Sequence, residues 1–244
     1  MQSLIEKIKN LHWIPEHFEE NKYSIEIVIN TFQKYLKQNA KILDWGAGWG
    51  SHAGCLSQFG FNISATDDFS LSKKIMTESL MNNLQQYATS CNFKYFKPKN
   101  SLWKQQNYYD AILLNGVIEH FHYSPKNTIN ELLSYLKKDG LLMINVPNAG
   151  NIRKRFSLLF GKTNLPNFED FYNTEDFYEG HIREYVREDL TKLTKIHNMA
   201  IVELRGIDCM LEKVPYLLKI PYLKLTNLFN GLKDTWMLLA RKNN

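Results

Sequence analysis

The run Asp44-Trp45-Gly46-Ala47-Gly48-Trp49-Gly50 is the part of this chain best suited to holding a small molecule. Glycines let the backbone bend sharply and let a ligand lie against the main chain, and a helix starting beyond them offers N–H groups that lack intrahelical partners. A carboxylate or a phosphate suits such a bend equally. A dinucleotide-binding turn wants a further glycine or alanine three positions after the second glycine; that position is Ser51, which weakens a nicotinamide reading. Asp67 and Asp68 come next, where a carboxylate can accept the hydroxyl hydrogens of a ribose. A lone acid at such a place more often closes a turn or caps a helix, so Asp67 gains weight only beside the glycines. His120, His122 and His181 add groups that exchange protons near neutral pH.

These residues need elements to position them. Lys41 to Trp45 is a short apolar run ending at glycines, as a buried parallel strand does. Ser51 to Phe59 reads as a helix with Gly60 as its left-handed stop, Phe61 to Thr66 as a second strand ending at Asp67, and Ser70 to about Tyr87 as a helix. Phe93 to Phe96 is a weak third strand and Asp110 to Leu114 a strong fourth. Thr128 to Leu136 is a helix closed by Lys137-Lys138-Asp139-Gly140, and Leu141 to Val146 a fifth strand stopped by Pro147. Strands and helices alternating at this pace describe a doubly wound α/β sheet with helices on both faces. Upstream, Val28, Phe32, Tyr35 and Leu36 predict an amphipathic helix over 24–38, with 1–20 as a shorter preface. Downstream, an aromatic, irregular stretch from Asn148 to Gly180 is expected to form a lid. Arg187 to His197 reads as a helix, and Ala200 to Leu204 and Trp236 to Ala240 as strands. Between those strands, Pro215 and Pro221 break a Leu-and-Lys pattern over 210–232, which suits packing on the domain, a homodimer contact or a membrane surface.

A chain of 244 residues with 44% apolar residues can build one continuous core, and no stretch approaches the roughly 20 apolar residues of a membrane span. Stable membrane insertion and a secretory leader are therefore not expected. Cys55, Cys91 and Cys209 stand far apart, in no paired metal spacing, which points to a reducing cytoplasm without disulfides or zinc. The net charge of +5 is spread thinly, so it does not imply nucleic acid.

Ile42-Leu43-Asp44-Trp45-Gly46-Ala47-Gly48-Trp49-Gly50 resembles the first motif of the class I S-adenosylmethionine-dependent methyltransferases, and Asp110-Ala111-Ile112-Leu113-Leu114-Asn115-Gly116-Val117-Ile118-Glu119-His120 resembles their fourth-strand motif. The likeness runs on from Leu132 to Asn148, as in the small-molecule branch, and covers about residues 25 to 205. It implies a seven-stranded, mostly parallel sheet whose last strand is antiparallel, in a single domain. Residues 1–39 would cap it, 40–147 hold the cofactor, 148–185 form an acceptor lid, and 186–244 finish the sheet. By position, Asp44, Trp45, Gly46, Ala47, Gly48 and Gly50 would line the methionine end of S-adenosylmethionine, Asp67 with Asp68 its ribose, and Asn115, Gly116 and His120 the sulfonium. After the third strand the family's usual adenine-binding acid is missing from Lys97-Pro98-Lys99-Asn100, leaving Asn100 as its substitute.

The acceptor follows less directly. Methyl transfer to oxygen or nitrogen gains from a base, and His181 or His122 would face the acceptor, with Glu119 bracing the loop. Asn115 is followed by Gly116-Val117-Ile118, not by the two prolines and aromatic of DNA-methylating relatives, and no pair of acids with an Asn suggests a metal. Arg153, Arg155 and Lys162, in a segment resembling methyltransferases of bacterial surface-glycan synthesis, point to a small molecule or glycan precursor as acceptor. A catalytically silent binding or scaffold protein of the same fold is the rival reading.

Overall fold

The computed structural model describes Glu6, Lys9, Asn10 and residues 12–69, 77–97, 100–163, 165–175 and 178–243. After the helical residues Glu6, Lys9 and Asn10 come helix α1 (Pro15–Tyr35), then β1 (Lys41–Trp45), α2 (Ser51–Gln58), β2 (Asn62–Thr66), α3 (Glu78–Ser90), β3 (Lys94–Phe96) and β4 (Tyr109–Asn115). A single 3-10 turn, Ile118–His120, leads to α4 (Lys126–Tyr135) and the long β5 (Leu136–Pro147). Two short helices, α5 (Ile152–Leu159) and α6 (Phe168–Tyr172), precede α7 (Arg187–Ile196), β6 (Met199–Ile207), α8 (Lys219–Leu228) and β7 (Thr235–Lys242).

The strands form one seven-stranded sheet in the order β3-β2-β1-β4-β5-β7-β6. Pairs β1/β2, β2/β3, β1/β4 and β4/β5 are parallel, and β7 runs antiparallel to both β5 and β6. Side chains alternate between two cores: Ile42, Ala111, Leu113, Met143 and Leu239 face one side with α1, α2 and α3, and Leu43, Ile112, Leu114, Leu142 and Ile144 face the other with α4 and α7. Both faces being buried, the central strands read as unbroken apolar runs. Strand order reverses between β1 and β4, which opens a crevice at their carboxyl ends.

Three boundaries differ from expectation. The helix expected over 24–38 begins at Pro15, not at Ser24, because Phe18 extends the buried stripe of Ile25, Val28, Ile29 and Phe32 and proline is tolerated at a first helical position. The fifth strand starts at Leu136, with Asp139 at φ 60 bending its first part. Pro221 does not break α8 but sits in its first turn, where its missing N–H costs no intrahelical bond; Pro215 does interrupt, between two 3-10 turns. Expectations over 1–5, 70–76 and Pro98-Lys99 lie outside the described residues.

Gly54 shows how tightly α2 meets α3. A Cβ built there would lie 2.1 Å from the phenolic oxygen of Tyr87 and 2.7 Å from its Cζ. Alanine adds at most about 1 kcal/mol of helix propensity, whereas overpacking a rigid buried ring costs about 1–3 kcal/mol. Gly54→Ala should therefore lower the urea midpoint of unfolding; an unchanged or raised midpoint would show that Tyr87 can move aside.

Candidate functional site

The glycine bend lies in the crevice between β1 and α2. Gly46 and Gly50 hold φ of 77° and 80°, a backbone that residues with a side chain rarely adopt. Its N–H groups are already engaged: Gly46 and Ala47 donate to the Thr66 carbonyl (2.9 and 3.1 Å), Gly48 to Asp67 Oδ2 (2.8 Å) and Gly50 to the Ala47 carbonyl (2.9 Å). A pyrophosphate needs such donors unspent, so the bend suits a cofactor that does not rest on an anion. The space beside Gly48 is open, with no atom within 4 Å of an added Cβ, while Tyr95 donates to the Gly48 carbonyl (2.7 Å) from below. Trp49 walls one side, against Trp13 (5.3 Å between ring centroids) and Phe69 (5.7 Å); Trp45 packs on Phe121 instead.

Two acids face this bend. Asp44, at 2% exposure, has one oxygen without a partner, and burial, reinforced by the nearby Asp67 charge, pushes its pKa up to about 7. Asp67 accepts the Gly48 and Phe69 N–H groups (2.8 and 2.6 Å), which offset part of the upward push of burial. A buried carboxylate oxygen lacking a donor fits a cationic or N–H-bearing group, as at the methionine end of S-adenosylmethionine. Two further lone pairs on Asp67 fit ribose hydroxyls. Asp68, beside it, is exposed, and the Oδ1 of Asn100 accepts the Leu102 N–H (2.9 Å), closing a local turn.

At the end of β4, Asn115 is locked from two sides. Its Oδ1 accepts from Ser24 Oγ of α1 and from Asn145 Nδ2 of β5, both at 2.8 Å, and Ser24 in turn meets His52 Nε2 (2.9 Å). His12 and His17 meet the hydroxyl of Ser51 (2.8 and 3.2 Å). Burial holds His12 and His52 neutral, at pKa values of about 4 and 3. These histidines and serines clamp the N-terminal helix over the site. The sequence reading missed them, since the partners lie on segments distant in the chain.

Beyond Gly116, whose added Cβ would come 3.6 Å from Glu119 Oε1, the 3-10 turn carries Glu119 and His120. Glu119 is 1% exposed, its Oε2 has no partner, and burial raises its pKa to about 8. Its carbonyl accepts the N–H groups of Ile182 and Arg183 (2.7 and 3.1 Å), so it braces the lid as expected. His120 Nδ1 lies 3.1 Å from the carbonyls of both Glu179 and Gly180; burial lowers its pKa. His181 stacks edge-on against it, with centroids 4.8 Å apart, and its Nδ1 meets Glu184 Oε1 at 3.3 Å. His122 is exposed and meets the Tyr178 carbonyl (2.8 Å). The structure thus gathers Asp44, the glycines and Asp67 at one end and Asn115, Gly116, His120 and His181 at the other, with His122, Asp68 and Asn100 toward the rim. The aromatic side chains between Phe156 and Tyr172 are exposed; residues 178–185 cover the turn after β4.

A family model described as a methyltransferase domain matches residues 17–204. The fold is similar to that of 1,6-didemethyltoxoflavin-N1-methyltransferase from Burkholderia thailandensis, solved with bound 1,6-didemethyltoxoflavin and S-adenosylhomocysteine, at 15% identity over 90% of this chain and 78% of that one (TM-score 0.58). It is also similar to a SAM-dependent methyltransferase from Aquifex aeolicus, at 16% identity over 98% of each chain (TM-score 0.56). The [4+2]-cyclase SpnF shares it at 15% identity over 89% of this chain and 81% of that one (TM-score 0.56). No curated protein matches by sequence.

The Asp44 pKa carries a sign. The folded value of about 7 lies above the unfolded value near 3.9, so the folded state holds this proton more tightly. The resulting stabilisation is complete below about pH 4 and is lost as pH rises toward 7. Asp44→Asn removes the charge, and without cofactor it should unfold later than the parent at pH 8 by about 1–3 kcal/mol, with a smaller gap at pH 5. Equal gaps in urea titrations at the two pH values would show that Asp44 is not desolvated.

Proposed function

Because this chain belongs to the methyltransferase domain family, whose methyl donor is S-adenosylmethionine, we propose that it methylates an oxygen, and less readily a nitrogen, of a small molecule or glycan precursor. The observation that carries the acceptor assignment is the stitching of the lid to the turn after β4. Glu119 and His120 accept from and donate to residues 179–183, and Asn148 bridges Tyr185, which fastens this segment over the turn at the end of β4. A segment fastened over the crevice suits a compact acceptor better than a duplex or a protein surface.

The cofactor supplies an electrophilic methyl carbon whose sulfonium loses its charge on transfer. The protein's part is mainly to bind and orient, worth about 7–11 kcal/mol of barrier when geometry is right. Asp44 and the glycine bend hold the methionine end, Asp67 the ribose with Asp68 at its rim, and Asn115, Gly116 and His120 the neighbourhood of the sulfonium. Asn100, whose side-chain oxygen closes its own turn, is the residue this reading leaves for the adenine amino group. His181, its Nδ1 fixed by Glu184, faces the acceptor and can take its proton; His122 lies farther out. Residues 1–39 cap the cofactor region 40–147, and 148–185 receive the acceptor.

A cleft of about 570 Å³ whose charged lining is Arg155, Arg187 and Glu188, beside Asn148 and Trp236, supports an anionic glycan precursor through two guanidinium groups set against one carboxylate. Among the described residues no helix is long and apolar enough to cross a membrane. Cys55, Cys91 and Cys209 are unpaired, which supports a reducing, cytoplasmic setting. Exposed Tyr216, Leu217, Ile220 and Leu228 leave the 210–232 insertion available for a homodimer contact.

Calorimetric titration should show S-adenosylmethionine and S-adenosylhomocysteine binding, and Asp67→Ala should weaken both by about 1–3 kcal/mol. Absence of binding by the parent would favour the silent scaffold. In extracts supplied with methyl-labelled cofactor, label should enter low-mass or sugar-containing fractions. Appearance in nucleic acid alone would overturn the acceptor assignment. His181→Ala should lower turnover at least tenfold with cofactor affinity nearly intact; normal turnover would remove it from the acceptor side.

A further inference from the structure

The geometry points to a divalent transition-metal site formed by Glu119, His120 and His181. The three side chains each bring one donor atom to within 4.8 Å of the others. Three further observations make the cluster more than a chance grouping. Glu119 is almost wholly buried, and its Oε2 has no hydrogen-bond partner, so a carboxyl oxygen is left to be met by something. Each imidazole is held from behind by groups that can only accept: His120 Nδ1 by the Glu179 and Gly180 carbonyls at 3.1 Å, and His181 Nδ1 by Glu184 Oε1 at 3.3 Å. Acceptors at Nδ1 place the proton there and the lone pair on Nε2. The other oxygen of Glu184 pairs with Lys154, which fixes that carboxylate in place. Metal-binding histidines are oriented in this way, by a carbonyl or carboxylate on the second ring nitrogen.

Donor chemistry narrows the ion. Two neutral imidazoles and one carboxylate suit Zn²⁺, Mn²⁺, Co²⁺ or Fe²⁺, whereas Ca²⁺ and Mg²⁺ prefer all-oxygen sites. Bond lengths of about 2.0–2.2 Å would draw the donors closer than they now stand. Glu119 and His120 ride on the turn fixed to β4, and His181 belongs to the lid, so an ion here would fasten the lid to the sheet. Three protein ligands leave a coordination position for water or for an oxygen of the acceptor, which would favour hydroxylated acceptors. That preference rests on the methyl-transfer reading; the metal site itself does not. With an ion bound, the Nε2 lone pair of His181 is committed to it, so His181 then acts on the acceptor through the ion and not as its base.

The full chain, stripped with EDTA and freed of chelator, is titrated with Co²⁺ alone and followed by visible absorption. A band stronger than that of the aqueous ion should saturate at one equivalent and disappear on adding Zn²⁺. Glu119→Gln and His181→Ala should each weaken binding at least tenfold, and Glu184→Gln about 10- to 100-fold. His197→Ala, at a half-buried histidine just after α7 and outside the cluster, should bind as the parent does. Far-UV circular dichroism checks that each variant is folded, and because His181 lies on the half-exposed lid, His181→Ala decides the matter if Glu119→Gln fails to fold. A titration with no saturable band, or a band that persists in folded His181→Ala, would overturn the site. Either result would leave cofactor binding, measured separately with S-adenosylhomocysteine, as evidence on methyl transfer.

Discussion

Two carboxylates, Asp44 and Glu119, end up out of water at the carboxyl ends of neighbouring strands, and the site is organised around how their charge is met. Each keeps an oxygen without a donor. Ionised groups in such surroundings destabilise a fold unless a partner arrives, so each marks where the protein gives up stability for binding. At Asp44 the chemistry of the missing partner is a cationic or N–H-bearing group of the cofactor. At Glu119 it is a cation flanked by imidazoles. One crevice thus holds two buried carboxyl groups, each with an oxygen unmet and each calling for a different complement, separated by Asn115 and Gly116.

Closure of this crevice comes from both ends of the chain order. The N-terminal segment reaches the glycine bend through His12 and, from α1, through His17 and Ser24, whose contacts with Ser51, His52 and Asn115 are buried or part-buried. The segment after β5 reaches it through residues 179–185. Neutral histidines suit the first role because they bridge hydroxyls without importing charge next to Asp44. The second role falls to backbone carbonyls and N–H groups, which hold the lid irrespective of side-chain identity.

Much of the fold was legible in the sequence because β1, β4 and β5 are buried on both faces and so carry unbroken apolar runs bounded by glycine, asparagine or proline. The glycine bend and Asp67 were legible for a related reason: their backbone demands special residues at fixed places. The start of α1 was not, since Pro15 opens it without a capping side chain and the polar run Glu19-Glu20-Asn21-Lys22 masks the periodicity. Pairings such as Ser24 with Asn115, or His120 with His181, depend on strand order and on where a loop folds back, which local pattern does not encode. Glu119 was read as a brace, and its carbonyl is one; that its carboxylate would be almost fully buried runs against the usual placement of charged side chains. Asn100 drew attention as a substitute for a missing acid, yet its side-chain oxygen serves its own turn.

The place of β7 between β5 and β6 has a consequence for synthesis. β6 is an edge strand whose neighbour is β7, and β7 is made later. On the ribosome, β6 must emerge with its backbone hydrogen-bonding groups unmatched and wait through the whole of 208–234 before the strand that joins it to the sheet exists. Until then β5 also offers an open flank, so on this side of the sheet an unfinished chain exposes the flank of β5 and both sides of β6, where the completed sheet ends in the outer side of β6 alone.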